Sequence, residues 1–227
     1  PASAKKTFTG LFGTGLVLAG DTVHVAAGTY EITAELKLLN GMRLEGAGRD
    51  QTVIRLKSGL KDRVAEFCGD GAAIAGCTLS GGRLGKPDGR HGCGVKDSAK
   101  NALIEDCRIT DCGLADSANQ HGGALAVGGN CSAVVRRTAM DGNSGVYGGA
   151  FYNANGGRVV FDNCLMTGNT ASSAYGAGCY FENGSSGAMT NCTGALNVGG
   201  YGQIYFYTGY WSYSIVNTLA VAKPGDA

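Results

Sequence analysis

A phrase recurs along this chain about every 26–31 residues: an apolar pair, a polar residue, Asp or Asn, then Cys or Thr. It reads Leu103-Ile104-Glu105-Asp106-Cys107, Val134-Val135-Arg136-Arg137-Thr138, Val160-Phe161-Asp162-Asn163-Cys164, Ala188-Met189-Thr190-Asn191-Cys192 and Ser214-Ile215-Val216-Asn217-Thr218. An earlier copy is Ala73-Ile74-Ala75-Gly76-Cys77. A fixed period of this length signals stacked, structurally equivalent units, each of which buries its apolar face only against its neighbours.

Each unit divides into three short extended segments with no helix-period stretch between them. In the unit from Gly157, Arg158–Asp162 is a strand, Asn163 a bend and Cys164 to Met166 a second strand. Gly178-Cys179-Tyr180-Phe181 is the third. Asn and Asp tolerate the left-handed backbone that a sharp bend needs, so Asp106, Arg137, Asn163, Asn191 and Asn217 form a bend column with Arg137 as the misfit. Three strands per turn describe an all-β parallel β-helix, a solenoid of about seven rungs. Its inward columns read Ile74/Ile104/Val135/Phe161/Met189/Ile215 and Val95/Leu125/Phe151/Tyr180/Ile204. Asn143, Asn169 and Asn197 form a further column, suited to a hydrogen-bonded amide ladder along the axis.

The chain reads as one domain over 1–227: an end segment at 1–19, first coils at 20–60, central rungs at 61–211, and a last coil with tail at 212–227. Glycine is abundant (40) and proline scarce (3), which fits tight turns rather than a disordered linker. A net charge of +1 points to neither nucleic acid nor an acidic membrane surface, and no apolar stretch is long enough to insert in a bilayer. The nine cysteines favour an extracellular or cell-surface setting. Cys77, Cys107, Cys164 and Cys192 share one repeat position, so Cys164 with Cys192, and Cys77 with Cys107, lie on consecutive rungs at disulfide range or stack as small apolar residues. Cys68, Cys112 and Cys131 lie off that column and are the stronger disulfide candidates.

The N-terminal stretch Gly20-Asp21-Thr22-Val23-His24-Val25-Ala26-Ala27-Gly28-Thr29-Tyr30, with Leu44–Gly48 and Thr52-Val53-Ile54, resembles the opening coils of the pectate-lyase-like right-handed β-helix superfamily. From Asn101 onward, phrases such as Gly148–Phe151 and Gly168–Ala171 are similar to the repeats of bacterial surface β-helix proteins, including autotransporter-like and polymorphic outer-membrane proteins. The resemblance implies the fold and a right-handed coil. It leaves activity open, since this fold hosts enzymes, adhesins and structural proteins. Members often open with a helix that plugs the first rung; the three glycines of Phe8–Gly15 argue against one here.

Enzymes of this fold use carboxylates on neighbouring rungs, and the expected outward strip of the third strand (Lys96, Ala126, Tyr152, Phe181, Tyr205) has no paired acids. His91 and His121 open neighbouring third strands, with Asp88 and Asp116 in nearby loops, and make the best catalytic neighbourhood; solvated turn histidines are the plainer alternative. No cofactor or metal motif appears. Aromatic residues gather toward the C-terminal end, and Tyr152, Phe181, Tyr205, Tyr207, Tyr210 and Trp211 form a candidate sugar-stacking or interface stripe, or else fill the last rungs. The leading expectation is a non-enzymatic structural or adhesive protein whose partner is itself. It would stack end to end through Phe8, Leu11, Phe12, Leu16, Ile215 and Leu219, because open strand edges template further pairing. The alternatives are a polysaccharide lyase or hydrolase and a glycan-binding module.

Overall fold

The structure, a computed structural model, describes residues 8, 12, 15–85, 91–115, 121–173, 175–199, 201–207 and 212–221. Asp88, Asp116, Tyr210, Trp211 and Leu11 lie outside these. Three parallel sheets run the length of the molecule. The first holds eight strands from Thr22–Val25 to Ser212–Val216, and the second eight from Gly28–Ile32 to Leu219–Val221. The third holds seven, from Leu36–Leu38 to Ile204–Phe206, so seven rungs carry all three strands and an eighth carries two. This is the parallel β-helix that the repeat anticipates.

The corners follow from backbone chemistry. Asp106, Arg137, Asn163, Asn191 and Asn217 all have positive φ (47–54°), and Gly76 continues the column at 60°. Arg137 is held there by its guanidinium, which grips Asp106 of the rung below (Nε–Oδ1 2.7 Å, Nη2–Oδ2 2.8 Å). Glycine serves the corner before the third sheet: Gly92, Gly122, Gly148, Gly176 and Gly202 have φ of 60–73°. A Cβ on Gly148 would stand 1.9 Å from the Phe151 carbonyl oxygen, so only glycine fits.

The bore is filled by in-register columns. Leu44, Ile74, Ile104, Val135, Phe161 and Met189 stack rung on rung in the first sheet and are buried. Ile215 continues the column but is 48% exposed on the last described rung. Beside the second sheet the amide ladder is present. Asn143 Nδ2 donates to Asn169 Oδ1 (3.0 Å), Asn169 Nδ2 to Asn197 Oδ1 (2.8 Å) and Asn197 Nδ2 to Gln203 Oε1 (2.7 Å). Each amide also donates to a backbone carbonyl, those of Ile109, Met140 and Met166. Full pairing is what lets these polar groups sit in a core.

Four expectations are corrected. Phe181 faces the bore, not solvent: it is 1% exposed and its ring stacks on Phe206 at 4.9 Å. In the third sheet Phe151 aligns with Cys179 and Tyr152 with Tyr180, so Tyr180 is the outward residue and Cys179 the inward one. Reading that strand one residue late exchanges the faces, because side chains alternate with period two.

The nine cysteines are free thiols. Cys68 and Cys131 follow Phe67 and Val127, between which Asp97 occupies a rung. Two rungs are about 9.6 Å, beyond disulfide reach. Cys112 is buried with its Sγ toward the Thr110 carbonyl. Cys164 and Cys192 do sit on consecutive rungs, but as buried free thiols whose Sγ atoms donate to the carbonyls of Val135 and Thr190.

At the N-terminal end, Phe12 N–H donates to the Phe8 carbonyl (2.8 Å), the spacing of a helical turn, where the glycines argued against one. The Phe8 ring meets Phe12 and Tyr30 at 5.7 Å each, so Phe8 is buried on the first rung rather than presented at an open end. Leu16 is exposed, and so is Leu219 at the other end.

Candidate functional site: an aromatic ladder outside the third sheet

The outward positions of the third sheet run Lys37, Glu66, Lys96, Ala126, Tyr152, Tyr180 and Tyr205 in register. From Ala126 onward they form an apolar cluster outside the bore, separate from the main core. The tyrosine rings stack almost in parallel: Tyr152 on Tyr180 at 5.8 Å and Tyr180 on Tyr205 at 5.6 Å, with interplanar angles of 14° and 13°.

A second column stands beside the first. It consists of the residue before each left-handed glycine: His91, His121, Tyr147, Tyr175 and Tyr201. Backbone bonds from Gly92 to His121, Gly122 to Tyr147 and Gly176 to Tyr201 hold these corners in register. Successive ring centroids lie 4.6, 4.4, 5.9 and 5.5 Å apart. Rings of the two columns interlock: His121 lies 4.8 Å from Tyr152, Tyr147 5.0 Å from Tyr180 and Tyr175 4.9 Å from Tyr205. Tyr152 and Tyr180 are buried by this packing, whereas His91, Tyr147 and Tyr175 are half-buried and Tyr201 is 63% exposed. Tyr207, 45% exposed, approaches Tyr180 at 6.4 Å.

The structure thus brings His91, His121, Tyr152 and Tyr205 onto one face. Tyr201, one of the aromatics gathered toward the C-terminal end, belongs with them, as do Tyr147 and Tyr175, which escaped the sequence reading. The usable signal was the aromatic or His preceding Gly in His91-Gly92, His121-Gly122, Tyr147-Gly148, Tyr175-Gly176 and Tyr201-Gly202.

The two imidazoles differ from solvated turn histidines. Burial pushes His91 down to about 4, helped by the positive charges of Lys96 and Arg63. Burial, with His91 alongside, pushes His121 down to about 3. Both rings are neutral at physiological pH. His91 Nδ1 accepts from the His121 backbone N–H (3.1 Å), which assigns the proton of the neutral ring to Nε2 and makes that atom a donor. His121 Nδ1 has no hydrogen-bond partner among the described residues. Tyr152 donates its phenolic proton to Glu182 Oε2 (2.7 Å), and that oxygen also accepts from Asn155 N–H (3.0 Å). Burial first, then the Glu182 carboxylate, holds the Tyr152 phenol far above its ordinary range.

A broad concavity lies elsewhere, at the corner between the first and second sheets. It is a groove of about 840 Å³ lined by Arg49, Asp50, Asp106, Arg108, Arg137 and Asp141. Two of its acids are spent on guanidinium groups: Arg108 grips Asp141 through two bonds (2.8 and 2.6 Å), and Arg137 grips Asp106. Glu105 accepts from Arg43, Arg136 and Arg137. The arginine bonds hold Glu105, Asp106 and Asp141 below the ordinary carboxylate range. Two-carboxylate hydrolysis needs one acid raised and one lowered. The raised carboxyl is Asp97, pushed up to about 7 by burial, and it faces the bore. Among the described residues no group of three or more His, Cys, Asp or Glu is placed to hold a metal ion, and no helix is long and apolar enough to cross a membrane.

Comparison with solved structures finds the same coil in proteins of very different sequence. A pectin methylesterase from Yersinia enterocolitica is similar over 98% of this chain and 93% of its own, with TM-score 0.56 and 11% identity. A pectin methylesterase from carrot is similar over 97% and 81%, with TM-score 0.57 and 12% identity. At such identity the likeness is one of fold. Comparison with curated protein sequences returns no match. Residues 63–218 match the family described as "Right handed beta helix region", and the chain therefore belongs to the right-handed β-helix family.

Proposed function

We propose that this protein is a carbohydrate-active β-helix, working outside the cell, that holds a polysaccharide against the outer face of its third sheet. The observation that carries this reading is the double aromatic ladder. Its rings lie outside the bore, in a cluster of their own, and its outer column stays accessible at His91, Tyr147, Tyr175 and Tyr201, with His121 buried between the first two. Aromatic bodies with polar tips are well suited to sugar rings, which present C–H faces and a rim of hydroxyls. The similar solved structures are named for action on pectin, which makes polysaccharides the class to test first. The adhesive or filament reading draws less support. Of its proposed contacts Phe8 is buried, so end-to-end association would run through Ile215 and Leu219 on the last described rung.

The test is native affinity electrophoresis through gels containing soluble polysaccharides, acidic and neutral. Wild type is expected to be retarded by at least one. The Tyr201→Ala/Tyr207→Ala variant, altered only at exposed rings, is expected to lose that retardation. Free migration of wild type through every gel would overturn the reading.

A second reading, eliminative cleavage, would use His121, whose neutral ring has a buried, unpartnered Nδ1 and would have to turn outward to meet the ligand. The ring would take the C5 proton of a uronide as the C4–O bond breaks and the C4–C5 double bond forms. The leaving oxygen then takes up a proton. An unsaturated product, absent with His121→Ala, would establish it; binding without that product would leave a binding module.

A further inference from the structure

Within the proposed polysaccharide reading, we infer that the ladder measures its ligand: one sugar per rung, which selects an extended β-1,4-linked chain lying parallel to the solenoid axis.

The argument begins with what the rings leave free. In the inner column the ring faces are covered by each other, at 5.8 and 5.6 Å and nearly parallel, and Tyr152 and Tyr180 are buried. A sugar therefore cannot slide between them to stack face on face. The accessible surface is the outer column, met along ring edges and polar tips. Those tips are the His91 Nε2–H and the hydroxyls of Tyr147, Tyr175 and Tyr201. The rings that carry them stand on the same corner of successive rungs, with buried His121 between His91 and Tyr147, and successive ring centroids recur at 4.4–5.9 Å. Parallel strand spacing of about 4.8 Å dictates that repeat.

A comb with this repeat matches a ligand that advances by about one ring length per residue in a straight line. β-1,4 linkage between equatorial positions gives such a chain. The axial–equatorial α-1,4 linkage of a malto-chain turns it at each residue and carries alternate sugars off the comb. The outer column spans five rungs from His91 to Tyr201, with His121 buried on the second, so affinity should grow with chain length to about that span. The groove between the first and second sheets repeats by rung too, but its chemistry changes at each step, through Gly76, Asp106, Arg137 and Asn163, and it offers no ladder of like groups.

The experiment is isothermal titration of wild type with oligosaccharides of two to eight residues. The β-1,4 probes are cello-, xylo-, chito- and mannurono-oligosaccharides; the turning α-1,4 probes are malto-oligosaccharides. The inference expects at least one β-1,4 series to gain severalfold in affinity per added residue and to level off near five. Tyr201→Ala, at the exposed end of the column, should move the plateau from five to four. Its fold would be checked by an unchanged unfolding curve. Binding that stops growing at one or two sugars, α-1,4 chains bound as tightly as β-1,4 chains, or a plateau unmoved by Tyr201→Ala would each overturn the measuring role while leaving polysaccharide binding in place. Absence of binding by every probe would overturn both.

Discussion

The imidazoles of His91 and His121 stack with centroids 4.6 Å apart and planes 12° from parallel, while the His121 N–H donates to His91 Nδ1. Tyrosine follows at the same corner in the next three rungs. The two histidines are thus the first members of an aromatic column rather than an isolated catalytic pair.

That placement gives the protein an acid-sensitive face. Both folded-state pKa values, about 4 and about 3, lie below the unfolded value of 6.5. Between these limits the unfolded chain binds more protons, so stability rises with pH there and is lost as pH falls from 6.5 toward 4. The upper figure is roughly 3–5 kcal/mol per ring. Urea unfolding at pH 7 and pH 4.5 should show a smaller loss in the His91→Tyr/His121→Tyr variant, which extends the tyrosine column.

Asp97 acts in the opposite sense. It is fully buried, its Oδ1 accepts from Ala99 N–H (2.9 Å), and its Oδ2 has no partner among the described residues. Its folded pKa of about 7 lies above the ordinary 3.8, so its contribution falls as pH rises from 3.8 to about 7. Asp97→Asn should raise stability at pH 8 by up to about 4 kcal/mol relative to its effect at pH 4. Equal effects at both pH values would contradict a buried ionisable carboxyl.

Asn169 is the hub of the amide ladder, donating to Asn197 and accepting from Asn143. Asn169→Ala strands buried groups on both neighbouring rungs and should cost about 2–4 kcal/mol in chemical unfolding. Asn163→Ala, at an exposed corner of the same rung, should cost less, through its left-handed backbone alone.

Gly148→Ala combines a φ of 62° with a Cβ placed on the Phe151 carbonyl oxygen. It should destabilise by about 3 kcal/mol or more and loosen the stacking of Tyr147, measured as a fall in thermal midpoint with altered near-ultraviolet dichroism.

The coil itself was legible in the sequence because its causes are local. The bend column needs Asp, Asn or Gly, and the amide column needs Asn at every turn. What was not legible depends on register. Phe181 and Tyr180 exchange faces on a one-residue slip, and the Gly-Ala-Gly run before Cys179 gives no apolar alternation to prevent it. Tyr147, Tyr175 and Tyr201 precede corner glycines in segments without hydrophobic periodicity, so only three-dimensional stacking joins them to Tyr152 and His121. Phe8 and Phe12 were read through the glycines around them, whereas packing on Tyr30 decides their place.

Hydroxyl-radical footprinting of the protein with and without a retarding polysaccharide tests the central claim most directly, because it reports where the ligand sits. The account predicts protection of His91, Tyr147, Tyr175 and Tyr201, with Leu165 and Arg108 in the opposite groove unchanged. Protection confined to Leu165 and Arg108, with the ladder still reactive, would contradict it.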